Sequence, residues 1–310
     1  MIRGPASADD PIEKQQSVSH IVWLASYPKS GNTWLRAFLA NFISNPPQPV
    51  DINTLNDFAE GDMVTWPYEQ VFGGLVDDRP LEDIYLARPQ AHRLLAQTGP
   101  GIVFIKTHNR LARFDNTPTI TPEVTFGAIY VIRNPLDVMV SFARHYGESI
   151  DDVITGSGAE VNFLPRRPGK IDQDLGTWSQ HVRGWTQAPG LFRYVMRYED
   201  MLRDPVKAFG GVADFLGTPK NPARLRKAVK FSSFRELAGQ ERRHGFTERS
   251  SKTERFFTAG KAGTWRSVLS EGQVARVIEL HGEVMTDWGY LDDRGNPMIV
   301  PLRPPIQSTS

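Results

Sequence analysis

One stretch of this chain, residues 20–36, constrains its fold more than any other. The stretch opens with an apolar run at residues 21–25, short enough for a strand buried on both faces. A tight turn occupies residues 26–31, and apolar residues at helical spacing follow it: Trp34, Leu35, Phe38, Leu39 and Phe42. In such a strand, loop and helix, the loop amides and the helix N-terminus converge on one point that suits an anion. The stretch therefore predicts a phosphate-binding loop.

The side chains of this loop suit an anion, but their order differs from the common nucleotide-binding pattern. Lys29 supplies a mobile cation, and Ser30 and Thr33 supply hydroxyl donors. In the common pattern, G-x-x-x-x-G-K-[ST], the lysine follows the second glycine and the next residue binds Mg²⁺. Here Lys29 precedes Gly31, which is not the order typical of magnesium–nucleotide sites.

Residues 27–34, Tyr-Pro-Lys-Ser-Gly-Asn-Thr-Trp, resemble the 5'-phosphosulfate loop of the cytosolic-type sulfotransferases. That family uses 3'-phosphoadenosine 5'-phosphosulfate (PAPS), and many members carry Thr where this chain has Asn32. The alternative, a glycine turn that joins a strand to a helix by chance, is disfavoured by the length of the match. The resemblance implies that consecutive residues hold the donor: Lys29, Ser30, Gly31, Asn32, Thr33 and Trp34.

Composition excludes several other classes of protein. A net charge of +1 gives no support for a general nucleic-acid or anionic-membrane binder. The chain has no Cys, and therefore no disulfide, thiolate nucleophile or Cys-based metal site. No apolar run approaches membrane-spanning length, and residues 1–19 lack the apolar core of a secretory signal. These features predict a cytoplasmic protein.

A second buried strand is predicted at residues 101–108, and it ends on Lys106, Thr107 and His108. In open α/β sheets, ligands lie at the carboxyl ends of the strands. A lone histidine is more often structural than catalytic, but this triplet resembles the family's segment that bears the general base. The resemblance implies that His108 removes the acceptor proton and that Lys106 holds the sulfuryl oxygens.

A third strand, at residues 126–133, ends on Arg133, and Asn134 with the following proline starts a helix. Arg133 and Ser141 would lie at the strand end and two turns into that helix. Residues 132–141 resemble the family's 3'-phosphate element, which implies that Arg133 and Ser141 hold the 3'-phosphate. Pairing of Arg133 with a neighbouring carboxylate is the alternative, which the match of residue type and spacing outweighs.

Further candidates come from the resemblance in the second half of the chain. A fourth strand is predicted at residues 192–198, and Tyr198 is placed near the adenine, with Ser232 and Phe234 near the purine. Residues 256–265 resemble the family's C-terminal glycine-rich element, which implies cofactor contacts from Gly260 and Lys261. Thr258 and Ala259 replace an Arg-Lys pair there, and we expect Lys261 or Arg255 to compensate.

The sequence leaves two regions open. Residues 147–174, rich in Gly and Pro, form either a mobile lid over the acceptor or a solvated insertion. Residues 61–78 separate predicted helices at 51–58 and 80–97. The aromatic residues of this segment either pack in the core or form the wall of an acceptor pocket: Trp66, Tyr68 and Phe72. A helix at 175–185 with His181 in a structural role, and a last helix capped by Ser270, complete the predicted elements.

Together these patterns predict one α/β domain: a mainly parallel sheet flanked by helices, with a P-loop nucleotide-kinase-like sulfotransferase fold. We expect a flexible N-terminal arm at 1–17, the sulfotransferase domain at 18–292, and an extended Pro-rich C-terminal tail at 293–310. The implied reaction moves a sulfuryl group from PAPS to a hydroxyl or amine of a small-molecule acceptor and releases PAP (adenosine 3',5'-bisphosphate). Lys29 stabilises the leaving phosphate, and no metal is needed.

Two alternatives accompany this prediction. A P-loop-type kinase on the same scaffold is the competing function, although it would require a magnesium site and the G-K-[ST] order. A homodimer is possible, although the family's short dimerisation motif is mostly absent from the region of the last helix.

Overall fold

A computed structural model describes residues 19–301. The predicted arm at 1–17 and the end of the predicted tail, 302–310, lie outside the described residues. The strands are β1 (His20–Ser26), β2 (Ala59–Gly61), β3 (Ile102–Thr107), β4 (Arg113–Phe114), β5 (Thr117–Pro118), β6 (Thr125–Ile132), β7 (Phe163–Leu164), β8 (Gln173–Asp174) and β9 (Arg193–Arg197). The helices are α1 (Asn32–Ser44), α2 (Leu55–Phe58), α3 (Trp66–Phe72), α4 (Leu81–Ala96), α5 (Pro135–Tyr146), α6 (Ile150–Ser157), α7 (Trp178–Gln187), α8 (Tyr198–Arg203), α9 (Pro205–Phe215), α10 (Pro222–Phe231), α11 (Phe234–His244) and α12 (Glu271–Asp287).

The main sheet has five parallel strands in the order β2-β3-β1-β6-β9. After β3 forms on one side of β1, the chain crosses over to place β6 on the other side. Ligands of open α/β sheets bind at the carboxyl edge where such a reversal occurs. The predicted α/β class, with a mainly parallel sheet flanked by helices, is confirmed, and the reversal places the carboxyl end of β1 between those of β3 and β6.

Both faces of the sheet are covered, which explains why its central strands are continuous apolar runs. Alternate residues of β1 enter different cores: Trp23 packs on the face covered by α5, α7 and α12, and Leu24 on the face covered by α1, α9 and α10. The side chains of both residues are fully buried. None of the helices within residues 19–301 is both long enough and apolar enough to cross a membrane.

The structure differs from the sequence prediction at four places. Strand β2 was missed because its residues, Ala-Glu-Gly, carry no strand preference and pair only with β3 at the sheet edge. Residues 61–78 contain helix α3, and residues 147–174 contain α6 and the β7–β8 hairpin rather than a continuous loop. The predicted helix at 175–185 begins only at Trp178, because Thr177 caps it with both bonds of a capping box.

The first part of the predicted tail turns back on the protein instead of lying extended. The Asp292 carboxylate accepts hydrogen bonds from the backbone amides of Arg294 and Asn296, and Met298 donates its amide to the carbonyl of Tyr290. Asn134 also donates its side-chain amide to the Met298 carbonyl at 3.0 Å. Residues 293–298 are therefore tied to the start of α5, close to the candidate site.

Candidate active site

A cavity of about 770 Å³ opens at the carboxyl ends of β1, β3 and β6. It collects nearly all of the residues that the sequence singled out: Lys29, Gly31, Asn32, Thr33, Trp34, Lys106, His108, Arg133, Ser141, Tyr198, Phe234, Gly260 and Lys261. Parallel strands bring these residues together because each predicted strand end lies at the same edge of the sheet. Ser30 and Ser232 are the two candidates that the cavity wall does not include.

The loop after β1 has an unusual backbone. Lys29 has a φ of 68°, which is left-handed and uncommon for a residue with a side chain. Gly31 has a φ of 110°, and a Cβ atom there would lie 2.8 Å from the ring of Tyr198. Only glycine fits this position, because it has no Cβ and tolerates positive φ. The loop thus passes directly over the Tyr198 ring.

Several donors around the loop are buried and have no hydrogen-bond partner among residues 19–301. They are the Ser30 hydroxyl, the indole N–H of Trp34 and the Nε of Arg133. A buried donor without a partner costs free energy unless a ligand or water satisfies it. Trp34 and Arg133 both line the cavity. This donor set fits an oxyanion ligand.

Asn32 has a structural part in this loop. Its side-chain amide donates to the Leu24 carbonyl at 2.8 Å and to the Ser26 hydroxyl at 3.3 Å. These bonds tie the first turn of α1 to the end of β1. Asn32 therefore fixes the two ends of the loop to one another, and it also lines the cavity.

Two partly buried lysines, Lys29 and Lys106, line the cavity and repel one another electrostatically. Desolvation, followed by the nearby charges of Lys106 and Arg133, lowers the pKa of Lys29 to about 7. Desolvation also lowers the pKa of Lys106 to about 8, although the carboxylate of Glu248 opposes this shift. The ammonium of Lys29 lies 3.8 Å from the centre of the Phe256 ring, a cation–π contact. An anion in the cavity would restore the positive charge of both lysines.

His108 is oriented as a proton acceptor requires. Its Nδ1 lies 2.7 Å from the Ser26 carbonyl oxygen, so Nδ1 carries the proton and donates. The other ring nitrogen, Nε2, is then left with a lone pair in a residue that lines the cavity. Burial, followed by the charge of Lys106, lowers the pKa of His108 well below its ordinary value and keeps the ring neutral.

His181 is buried and supports His108 from behind. Its Nε2 donates to the His108 carbonyl at 3.0 Å, and its Nδ1 accepts from the Tyr130 hydroxyl at 2.9 Å. Its predicted structural role agrees with this placement, because the bond fixes the backbone from which the His108 ring projects.

Glu248 is a site residue that the sequence did not reveal. Its carboxylate lies 2.7 Å from Arg36 and 3.5 Å from Lys106. The charge of Lys106, then that of Arg36, holds the pKa of Glu248 far below its ordinary value despite the opposing effect of desolvation. Glu248 belongs to the segment between α11 and the Phe256 ring, and no sequence pattern near it signals a site.

Arg133 joins three parts of the site. Its Nη1 donates to the Lys29 carbonyl at 2.9 Å, and its guanidinium lies 4.3 Å from the centre of the Tyr198 ring. Ser141 also lines the cavity, from α5. The alternative for Arg133, pairing with a neighbouring carboxylate, finds no such salt bridge among the described residues.

The cavity contains other cations that could replace the Arg-Lys pair for which this chain has Thr258 and Ala259. Of the two residues expected to compensate, Lys261 lines the cavity and Arg255 does not. Arg144 and Arg249, which were not among the predicted site residues, line it as well. Arg144 follows Ser141 by three residues on α5, so helical spacing from Ser141 was a usable signal.

Of the two residues expected near the purine, Phe234 and Ser232, only Phe234 lines the cavity. Phe234 lines the cavity, and a Cβ atom at Gly260, whose φ is 57°, would lie 2.5 Å from its ring. Ser232 instead is fully buried, and its hydroxyl donates to the Ala228 carbonyl of α10 at 2.9 Å. Its hydroxyl is therefore used in the helix end and does not face a ligand.

Two further expectations concern metals and aromatic residues. No group of three or more His, Cys, Asp or Glu residues within 19–301 is arranged to hold a metal ion. Tyr68 and Phe72 pack in a small core with α4, and Trp66 packs against the main core. These aromatic side chains do not line the large cavity, so the packing interpretation holds among the described residues.

The fold and this site define a sulfotransferase. The family model described as "Sulfotransferase domain" matches residues 20–289, and the chain belongs to that family. It is 25% identical to flavonol 3-sulfotransferase of Flaveria bidentis over 87% of this chain and 83% of that protein. It is 27% identical to sulfotransferase 1C2 of Oryctolagus cuniculus over 84% and 82%.

Solved structures share the fold. A mouse sulfotransferase complexed with PAP superposes with a TM-score of 0.56 at 21% identity, covering 89% of this chain and 87% of that one. Retinol dehydratase in complex with androsterone and the inactive cofactor PAP also gives 0.56, at 20% identity and 86% and 81% coverage. At these identities the likeness concerns the fold, which confirms the predicted sulfotransferase fold.

Proposed function

We propose that this protein transfers a sulfuryl group from PAPS to a hydroxyl or amine of a small-molecule acceptor. The observation that carries the proposal is the orientation of His108, whose Nε2 is unprotonated in the same cavity as the ammonium of Lys29. Membership of the sulfotransferase family supports the reaction class. PAP in the solved structures of two proteins with this fold supports the donor.

His108 acts as the general base in this proposal. Its Nε2 takes the proton of the acceptor hydroxyl as the acceptor oxygen forms a bond to sulfur. The bond between sulfur and the bridging oxygen of the 5'-phosphate breaks, and its electron pair leaves with PAP. Lys106 pairs with the sulfuryl oxygens, and burial keeps His108 neutral before the transfer.

Lys29 stabilises the leaving phosphate. Negative charge grows on the bridging oxygen only as that bond breaks, so a cation placed there lowers the barrier more than it tightens binding. The loop amides and the N-terminus of α1 act on the same charge, together with Thr33 and the indole N–H of Trp34. Dispersed sulfuryl charge is lower than phosphoryl charge, so these protein donors suffice without a metal.

The nucleotide end is assigned to the other wall of the cavity. Arg133 and Ser141 hold the 3'-phosphate, and Lys261 with Arg144 supplies positive charge that Thr258 and Ala259 lack. Tyr198, Phe234 and Gly260 surround the purine. All of these residues line one cavity, and the domain that we propose at 18–292 contains them.

Three ligands separate this function from the alternatives in one calorimetric titration: PAP, ATP with Mg²⁺, and AMP. We expect PAP to bind much more tightly than AMP because of its 3'-phosphate. A turnover assay with sulfate-labelled PAPS and a panel of phenols and alcohols then tests the transfer. Preference for ATP with Mg²⁺ and no label transfer would favour the kinase alternative, and binding of PAP without any transfer would favour a non-catalytic binding protein.

A further inference from the structure

A second cavity of about 290 Å³ adjoins the large one. Six residues line both cavities and mark the junction at which the two adjoin: Met63, Tyr146, Leu164, Arg167, Lys170 and Gln173. Beyond the junction, the smaller cavity has aromatic walls that include Tyr27, Phe142 and Phe163. None of the residues assigned to PAPS lines the smaller cavity.

The junction is formed by a hairpin that is fixed in place. Arg167 and Lys170 exchange backbone hydrogen bonds of 3.0 and 2.7 Å across a two-residue turn of Pro168 and Gly169. Ile171 donates its amide to the Met63 carbonyl at 2.7 Å, which ties the hairpin to the segment after β2. The region that the sequence left open as a lid or insertion is therefore anchored here.

The hairpin carries two cationic side chains, Arg167 and Lys170, at the junction of the cavities. Arg167 and Lys170 make no side-chain hydrogen bond or salt bridge with any residue of the described part of the chain. Their neighbour Arg166, in contrast, is paired with Asp172 at 2.8 Å and donates to nearby carbonyls. Glu248 attracts Lys170 from a distance, but its carboxylate is already paired with Arg36 and Lys106.

The smaller cavity is lined by side chains of both charges. Arg167 and Lys170 stand at the junction with the large cavity, whereas Glu148 and Asp152 line the cavity from the start of α6 and the turn before it. Arg167 and Lys170 are also the only cations that line both cavities among residues 19–301. An anion is therefore favoured beside Arg167 and Lys170 and disfavoured beside Glu148 and Asp152.

We propose that the acceptor carries an anionic group, such as a carboxylate, which pairs with Lys170 and Arg167 at the junction of the two cavities. The aromatic or apolar body of the acceptor lies in the large cavity between the junction and His108, so that its hydroxyl reaches His108 while its anionic group stays at the junction. This inference rests on the proposed function, since it names the class of acceptor for that reaction. Arg167 and Lys170 are specificity-determining residues here and take no part in the transfer itself.

The test compares two acceptors that differ in charge and little else. In 3-(4-hydroxyphenyl)propionate and its primary amide, two methylene groups insulate the phenol, so the hydroxyl has nearly the same acidity in both. The readout is the ratio of kcat/KM for the acid to that for the amide. We expect the wild type to favour the acid and Lys170→Met to lower the ratio about tenfold, the effect of one charge-assisted contact of about 1.4 kcal/mol.

Charge reversal gives a second readout that loss of folding cannot imitate. Lys170→Glu should lower the ratio further and raise kcat/KM for the cationic phenol 4-(2-aminoethyl)phenol above its wild-type value. Lys220→Met, at an exposed lysine outside both cavities, is the matched control and should leave the ratio unchanged. Arg167→Met should act in the same direction as Lys170→Met.

The outcomes separate this inference from the proposed function. Sulfuryl transfer to the neutral amide with an unchanged acid-to-amide ratio in all variants would overturn the anionic acceptor and leave the function standing. Weaker binding of PAP by calorimetry in Lys170→Met, without a change in the ratio, would place Lys170 on the donor instead. Absence of transfer to every phenol, with PAPS bound, would overturn the function itself.

Discussion

Arg36 and Glu248, which are 212 positions apart, form an ion pair in which Nη2 of the arginine lies 2.7 and 2.8 Å from the two carboxylate oxygens. The Arg36 side chain is fully buried and that of Glu248 is 16% exposed. Removing one partner of a buried pair leaves the other charge without compensation. The pair ties helix α1, which carries the anion loop, to the segment that follows α11.

We expect Glu248→Gln to lower the free energy of unfolding by about 3 kcal/mol, because Arg36 remains buried and charged. Urea denaturation at pH 7 measures this loss. The matched control is Glu283→Gln, which breaks the exposed Arg183–Glu283 pair and should cost less than about 1 kcal/mol. Equal losses in the two variants would mean that the Arg36–Glu248 pair adds nothing beyond a surface contact.

Lys29→Ala should reduce turnover about 10²–10³-fold while the protein stays folded. The lost charge acts on an oxygen that becomes negative only as the S–O bond breaks, so the affinity for PAPS should fall much less than kcat. Steady-state kinetics, with circular dichroism to verify folding, measure both quantities. Turnover within a few-fold of the wild type would remove Lys29 from the proposed mechanism.

Binding of PAP should take up protons near pH 8. In the free protein the pKa of Lys29 is about 7 and that of Lys106 about 8, so at pH 8 Lys29 is mostly neutral and Lys106 about half charged. The anion favours the charged forms and raises both pKa values, whereas the phosphates of PAP are already fully ionised at this pH. Affinity should therefore fall as the pH rises from 7 to 9.

Calorimetry in buffers of different ionisation enthalpy counts these protons. We expect an uptake of about one proton or slightly more in the wild type, and a clearly smaller uptake in Lys29→Met. Lys220→Met, far from the cavity, should match the wild type. Release of protons, or an uptake that Lys29→Met leaves intact, would contradict the lowered pKa of Lys29.

His108→Ala should suppress transfer about 10²–10⁴-fold and spare PAP affinity. The loss should be larger for an aliphatic alcohol than for an acidic phenol, because the phenol arrives partly deprotonated. Parallel rate measurements on the two acceptors, with a PAP titration, test this difference. Similar small losses for both acceptors would show that another group removes the proton.

Arg133→Ala should weaken the binding of PAP far more than that of adenosine 5'-phosphosulfate, which lacks the 3'-phosphate. A charge-assisted contact to phosphate is worth about 1.5–3 kcal/mol. The lost hydrogen bond to the Lys29 carbonyl affects both ligands alike, so only the difference between them reports on the 3'-phosphate. Equal weakening would indicate damage to the loop instead.

The sequence alone predicted the parts of the site that depend on local patterns. Strands β1, β3 and β6 contain short apolar runs, and a polar residue ends or directly follows each strand: Ser26, Thr107 and Arg133. Because parallel strands align their carboxyl ends, this local pattern was enough to bring Lys29, His108 and Arg133 to one edge. The glycine at position 31 also follows from the loop itself, since the turn requires a positive φ.

Only the tertiary structure placed Glu248 beside Arg36 and Lys106, and Lys170 at the junction of the two cavities. These residues lie in segments without a period of 2 or 3.6, so nothing local shows which way their side chains point. Their positions depend on backbone hydrogen bonds between distant segments, such as that from Ile171 to Met63. Local pattern determined the edge of the sheet that carries the proposed donor site, and long-range packing decided which charges line the cavities where we propose that the acceptor binds.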